Sequence, residues 1–543
     1  MDSIEALRQI KRDSLKVVLA GGVFDIIHPG HIHTLKAAKA LGDVLVVAIA
    51  TDKTAQKMKK RIPLHNQELR RELVDCLSMV DIAVVGHEND IFETVKLVKP
   101  EIIALGYDQT HQEKFISDGC KRINLDAKIV RLQSPVPELS SSDIQKAINF
   151  SREQNLITAV RAGGHSISGK STCDGGIIID LSRMRKTSVD LQRKIVTVEP
   201  GCTLYDMDSK TLPHGYVVPA GVVSHTGVAG LTLGGGIGSL MRMYGLTIDN
   251  LISVDIITAD GVMRKASEDE NPDLFWGIRG GGGNFGIVTS FEYNLRPLPN
   301  GKVIVGVNLY DLKYAKEIWD FYYDYSEDLS SDIMLNAGMW NVTQGEGYFF
   351  LGTLFLGDEN KADKALKTIR NFGKPLSDDV SKKDFIEHQQ VADKRNAHYR
   401  NYYVKGRHID EYDPKLTENL MDGWMGVEGR FDTMRVVRFG GAIAEVAENE
   451  TAWVGRNAKW DIEVGGHWSD REKNEEYTQW GRDYWKNLTP YCAERIYINE
   501  LMDEDQDFVA TSYGQNYGRL VEIKNKYDPK NLFRLNGNIK PSI

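Results

Sequence analysis

The sequence predicts a multidomain chain of mixed α/β and α+β class, in which a Rossmann-like parallel unit is followed by a glycine-rich dinucleotide unit and an antiparallel sheet. Three observations predict it. Short apolar runs alternate with helical periodicity over residues 1–145, glycines cluster between residues 161 and 290 among strands with no long helix between them, and aromatic-rich strands interleaved with charged helices fill residues 300–450. At 543 residues the chain exceeds one ordinary core.

Composition narrows the partners. Hydrophobic content of 41% and charge of 26% are those of a soluble globular protein, and no apolar run approaches the roughly 20 residues of a membrane helix. No membrane partner is expected. The start, MDSIEALRQIKRDSLK, lacks the apolar core of a signal peptide, which predicts the cytoplasm. Residues 1–145 carry 20 Lys and Arg against 20 Asp and Glu, so the remaining 47 basic and 56 acidic residues hold the whole net charge of −9. An acidic surface repels nucleic acid and points to small-molecule partners. The five cysteines have no CxxC spacing and are odd in number, against a disulfide framework or a zinc site.

In the first unit, KVVLA at Lys16–Ala20 ends in Gly21-Gly22, and Pro29-Gly30 precedes HIHTLKAAKALG, whose Leu35, Ala38 and Leu41 recur at helical spacing. Strands at DVLVVAIATD, Ile82–Val85 and EIIALG alternate with helices at Glu68–Met79 and Ile91–Val98, implying a parallel, doubly wound sheet. A ligand then lies at the carboxyl ends of the strands, beside Gly21–His31 and Gly106–Gln109. His28-Pro-Gly-His31 stands at the amino end of the first helix, where two imidazoles can face a phosphate held by free backbone amides. Attack on an α-phosphate needs charge stabilisation and in-line positioning, which two such donors supply without a covalent intermediate. An isolated HxGH is also what surface histidines beside a turn look like.

The run GGVFDIIHPGHIHTLKAAKALGD, with Arg70-Arg71 and Ser141-Ser142-Asp143-Ile144, resembles the cytidylyltransferase-like nucleotidyltransferases. ALGYDQ at Ala104–Gln109 is similar to the archaeal-type FAD synthases, which transfer AMP from ATP to FMN using magnesium. By position, the resemblance implies ATP contacts at Val23, Phe24, His28, Gly30, His31 and Asp108, with Ser142 closing on the phosphates from a late loop. A cytidylyltransferase for a polyol phosphate or phospholipid head group is the competing member.

In the second unit, RAGGHSISG, PAGVVSHTGVAGLTLGGGIG and RGGGGNFGIV bring many backbone amides close to something large and anionic, and a dinucleotide pyrophosphate fits. The intervening IIIDLS, KIVTVEPG and DIITADG read as strands, so the fold is not the strand-GxGxxG-helix kind. With YGLTIDN, DLFWGIRG and the terminal YGQNY and YDPKNLF, these segments resemble the FAD-binding domain of the p-cresol-methylhydroxylase (PCMH) type in its berberine bridge enzyme branch. The resemblance implies flavin contacts at Arg161, Gly163, Gly164, His165, Ser166, Gly221, Gly227, Gly230, Gly234, Gly235, Gly283, Ile287 and Asn536. His165 matches the histidine that the family joins to the flavin 8α-methyl group. Val223 stands where doubly linked relatives have cysteine, so one covalent bond and a lower flavin potential are implied. Tyr497 and Asn499 match the family's Tyr-x-Asn segment, with Tyr497 as the base for a substrate hydroxyl; a buried tyrosine bonded to backbone is the plain alternative.

The expected organisation is therefore a nucleotidyltransferase at 1–145, a PCMH-type FAD-binding domain at 146–300, a substrate domain at 301–500 and a carboxy-terminal element at 501–543 that completes the FAD domain. Expected small molecules are ATP with Mg2+, FMN, FAD, a hydroxyl-bearing reductant of alcohol or sugar type and molecular oxygen as a candidate acceptor. Family members begin with a further helix and strand. Here KIVRL at Lys128–Leu132 is either the last strand of the first unit or a replacement for that opening strand, and no Pro/Gly/Ser-rich tether separates the families.

Overall fold

A computed structural model describes residues 15–542 apart from positions 26, 28, 60–62, 89, 107–112, 133–139, 344–345, 399, 423 and 425–429. The chain divides into two units, residues 1–138 and 139–543, seven residues before the expected seam at 145.

The first unit runs β1 (Val17–Gly22), α1 (Pro29–Lys39), β2 (Val44–Ile49), α2 (Asp52–Lys59), α3 (Gln67–Asp75), β3 (Ile82–Val85), α4 (Ile91–Val98), β4 (Ile102–Leu105), α5 (Glu113–Arg122) and β5 (Lys128–Arg131). Every strand pairing is parallel, in the order β3-β2-β1-β4-β5. Val17, Leu19, Val44 and Val46 enter one core and Val18, Ala20, Leu45 and Val47 the other, which is why the central strands read as unbroken apolar runs. Strand order reverses between β1 and β4, so the ligand crevice of a doubly wound sheet opens beyond Gly22 and Leu105. β5 pairs in register with β4, Ile102 opposite Lys128, and so closes this sheet; KIVRL does not serve the second unit.

The second unit opens with α6 (Ser141–Glu153), capped by Ser140, whose hydroxyl and amide exchange hydrogen bonds with Asp143. Ile144 and Ile148 of α6 pack on Ile179, Leu181, Ile257 and Ile287. A parallel pair, Thr158–Arg161 with Ile177–Asp180, stands beside a five-stranded antiparallel sheet in the order Met263–Ser267, Leu251–Thr258, Gly286–Asn294, Ile195–Val198, Thr187–Asp190. Among the described residues the parallel sheet has only these two strands.

The chain then builds a large antiparallel sheet in the order Ser377–Asp378, Lys302–Asp311, Glu346–Phe355, Ile333–Thr343, Arg430–Arg438, Trp460–Trp468, Asn401–Ile409. In Glu346–Phe355, Phe349, Leu351 and Phe355 enter one core and Leu354 another, so both faces are covered and the aromatics are core, which explains the poor alternation of GYFFLGTLFLG. The helix Tyr517–Tyr527 returns to the core beneath the five-stranded sheet, where Leu520, Ile523 and Tyr527 join Phe275, Trp276 and Phe291. Lys524, fully buried, fixes it there: its ammonium donates to Asp528 at 2.7 Å and to the carbonyls of Asn284 and Phe533. All five cysteines are free, and no helix among the described residues is long and apolar enough to cross a membrane.

Candidate active sites

At the first unit's crevice, Arg70 of α3 is fully buried and organises the loop after β1. Its guanidinium donates to the Val23 carbonyl at 2.6 Å, the His65 carbonyl at 3.0 Å and Asp52 at 2.6 Å, and Asp25 accepts from the Leu64 and His65 amides. The loop is thereby held by charge-assisted bonds. Phe24 adopts φ 51°, and its ring lies 5.0 Å from that of His31 in the first turn of α1. The structure thus brings Val23, Phe24 and His31 together with Gly30 on the same turn; His28 and Asp108 lie outside the described residues. Ser142 lies in the first turn of α6, a helix of the second unit rather than a loop.

The second unit holds a cavity of about 380 Å³, within the range of cofactor sites. Of the expected flavin contacts it is lined by Gly163, Gly164, His165, Ser166, Gly221, Gly227, Gly230, Gly283, Ile287 and Asn536, and Tyr497 and Asn499 line it too. Two of its walls cross in van der Waals contact. A Cβ on Gly163 would lie 2.5 Å from the Gly227 nitrogen, and one on Gly227 2.6 Å from the Gly163 nitrogen, so only glycine lets these loops meet.

Three expected contacts lie off this cavity. Arg161 lines a neighbouring polar cleft with His225 and His398 and sits 4.0 Å from Asp180. Gly234 and Gly235 admit other side chains: a Cβ on Gly235 would lie 2.6 Å from the Trp453 indole, and the space beside Gly234 is taken by the Asn499 amide.

The ionisable groups of the cavity divide by environment. Burial, with His225 and His398 nearby, pushes His165 down to about 4, so its imidazole is neutral at neutral pH. Burial pushes the Tyr497 phenol up to about 12; its oxygen accepts from the Gly236 amide at 3.0 Å and the Asn499 amide at 2.9 Å, and Glu500 adds to the rise. Two carboxyl groups that the residue pattern did not single out share the lining: Glu500, pushed well above the usual carboxylate range by burial and by Asp461 and Glu463, and Glu463, which accepts from Arg435 at 3.0 Å. Among the described residues, His165 Nε2, Glu500 Oε2 and Asn536 Oδ1 are buried without hydrogen-bond partners at this cavity. Such orphaned atoms, with backbone amides from four glycine segments, fit a polar dinucleotide.

Matches to known proteins follow the same division. Residues 19–147 match the cytidylyltransferase-like family, 139–267 the FAD binding domain family, and 496–540 the berberine and berberine like family. The first two share residues 139–147, so the families meet with no tether. An FAD synthase of Picrophilus torridus is 50% identical over 132 residues, 24% of this chain and 94% of that protein. An FAD-linked oxidoreductase of Dictyostelium discoideum is 33% identical over 431 residues, 79% of this chain and 93% of that protein. The chain belongs to the FAD-linked oxidoreductases, and its first unit to the FAD synthases. Among solved structures, 6-hydroxy-D-nicotine oxidase from Arthrobacter nicotinovorans superposes with a TM-score of 0.68 at 25% identity, covering 74% of this chain and 91% of that one. This FAD-linked oxidoreductase of the berberine bridge type is therefore fused to a nucleotidyltransferase of the FAD synthase type.

Proposed function

We propose that the chain is a cytoplasmic bifunctional flavin enzyme, making FAD from FMN, ATP and Mg2+ in its first unit and oxidising a hydroxyl-bearing substrate of alcohol or sugar type in its second, with molecular oxygen as acceptor. The 50% identity to an FAD synthase over 132 residues favours FMN over a polyol phosphate as the adenylyl acceptor. There His31, on the first turn of α1, donates to the charge developing on the α-phosphate beside the helix amides. His28, Asp108 and Ser142 are assigned to ATP by the same resemblance.

In the second unit, Gly163, Gly164, Gly227, Gly230, Gly283 and Asn536 hold FAD, and His165 forms the single covalent link. Val223 lines the cavity where a second link would need cysteine. The bound flavin supplies the two-electron acceptor for a hydride. What this chain must add is a proton acceptor and an oriented hydroxyl. The observation that carries the reading is the meeting at one cavity of His165, Tyr497, Asn499 and Glu463. Tyr497 sits among amides and the Glu500 carboxyl, which leaves its phenol protonated. Glu463, paired with Arg435, is therefore assigned the substrate proton, and Tyr497 with Asn499 orients the hydroxyl.

Stopped-flow bleaching of the flavin by a panel of alcohols, aldoses and phenols tests this. A bleaching substrate should lose about 100-fold in reduction rate with Glu463→Gln, with the flavin spectrum intact. Tyr497→Phe slowing the reaction while Glu463→Gln does not would move the base to Tyr497. No bleaching by any of the three classes would refute the oxidase reading for hydroxyl substrates.

A further inference from the structure

His165 has two histidine neighbours that the oxidase chemistry leaves unused. The ring of His225 lies 5.1 Å from that of His165, and the ring of His398 lies 5.7 Å from His165 and 4.9 Å from His225. The three come from separate segments, and their exposure is graded. His165 Nε2 and His225 Nδ1 are buried, whereas His398 is exposed and lines the neighbouring polar cleft with His225 and Arg161. The imidazoles thus lead from His165 at the cavity to His398 at the neighbouring cleft.

The tautomer of His225 is set by its partner. Its Nε2 lies 3.4 Å from the Asp393 main-chain carbonyl, which can only accept, so Nε2 carries the hydrogen and Nδ1 the lone pair. That Nδ1 is buried with no hydrogen-bond partner among the described residues. The Asp393 side chain in turn accepts from the Ser224 amide at 2.9 Å and the Ser224 hydroxyl at 2.7 Å, which ties this residue to the segment that carries His225.

We propose that His225 is a proton acceptor for the attachment of FAD to His165, passing the proton to His398 and solvent. The proposal rests on the reading of His165 as the attachment residue. The step balances as follows. A bond forms between an imidazole nitrogen of His165 and the flavin 8α-carbon, a C–H bond of that methyl group and the N–H bond of His165 break, and the two electrons of the oxidised carbon reduce the flavin ring. Both protons leave for the flavin ring or, through His225 and His398, for solvent. Molecular oxygen then takes the two electrons and two protons to give hydrogen peroxide, restoring oxidised flavin. A neutral nucleophile is needed at His165, which burial and its two histidine neighbours keep uncharged, and its buried Nε2 has no hydrogen-bond partner of its own among the described residues. His225 supplies an acceptor for its proton.

The test uses the full-length chain prepared flavin-free by riboflavin limitation, given FAD, with covalent incorporation followed by intact mass and by in-gel flavin fluorescence after denaturation. The parent should gain one FAD, mapped to the His165 peptide. His225→Ala should incorporate FAD about 100-fold more slowly, within the range for a lost positioned base, while still binding FAD non-covalently. Added imidazole should restore the His225→Ala rate and leave the parent unchanged, a response that a merely structural role would not show. His398→Ala should slow incorporation less, since solvent lies beyond it. Incorporation by His225→Ala at the parent rate, or a slow rate that imidazole does not lift, would overturn the relay. Absence of flavin from His165 in the parent would instead overturn the attachment reading beneath it.

Discussion

Gly163→Ala is the sharpest probe of how the flavin cavity is built. The added carbon would sit 2.5 Å from the Gly227 nitrogen, where an ordinary contact needs about 3.5 Å, so the two loops must part by roughly 1 Å. Neither side can yield cheaply, because the obstructing atoms are backbone and the Gly227 segment is anchored by the Val228 amide donating to the Cys202 carbonyl at 2.9 Å. Overpacking of this kind costs about 1–3 kcal/mol, and the upper half of that range is expected here. In urea the unfolding midpoint of the second unit should fall measurably with unchanged slope, and FAD should bind more weakly because both displaced loops line its cavity. Gly230→Ala is the control: its new Cβ meets nothing within 4 Å and sits in a helix, so the midpoint should stay or rise. A Gly163→Ala protein with the parent midpoint and the parent FAD affinity would refute the crossing of the two loops.

Other perturbations have equally definite outcomes. Lys524→Met strands the Asp528 carboxylate and two carbonyls in the core, so thermal unfolding should reveal a loss of about 3–5 kcal/mol, and a loss under 1 kcal/mol would contradict the buried pairing. His388 and His467 are pushed by burial from 6.5 to about 4, so between those values the unfolded chain binds more protons than the folded one. Stability should therefore fall as pH drops from about 6.5 to 4, and His388→Gln should flatten that limb in thermal scans. Asp208, raised to about 7 by burial, acts oppositely: its ionised form is disfavoured in the fold, so Asp208→Asn should gain more stability at pH 8 than at pH 5. His31→Ala should slow FAD formation from FMN, ATP and Mg2+ on the order of 100-fold in a pyrophosphate-release assay, and the parent rate would remove His31 from the chemistry.

What the sequence made legible was local. The alternation of apolar runs with helical stretches gave the parallel sheet, and RAGGH placed His165 at the cavity, because each feature is written in consecutive residues. Among the described side chains of the helix Asp52–Lys59, Ala55 is the one buried apolar group, and no periodic stripe announced the helix. Gly235 reads in sequence like any glycine beside a phosphate, but the group it admits is Trp453, more than 200 positions away. Glu463 escaped because its meaning depends on strand pairing: it stands directly opposite Arg435 in the antiparallel register, and its carboxyl neighbour Glu500 comes from a third segment. The histidine group at His165 likewise joins residues 165, 225 and 398, a juxtaposition that no spacing encodes.

One chain is expected to make FAD and then carry it at His165. Full-length, flavin-free protein supplied with FMN as the only flavin, together with ATP and Mg2+, tests both halves in one mass spectrum. An ATP-dependent gain of one FAD per chain is expected, carried on the peptide containing His165 and on no cysteine peptide. A covalent FMN adduct independent of ATP, or free FAD accumulating while the chain gains no mass, would contradict it.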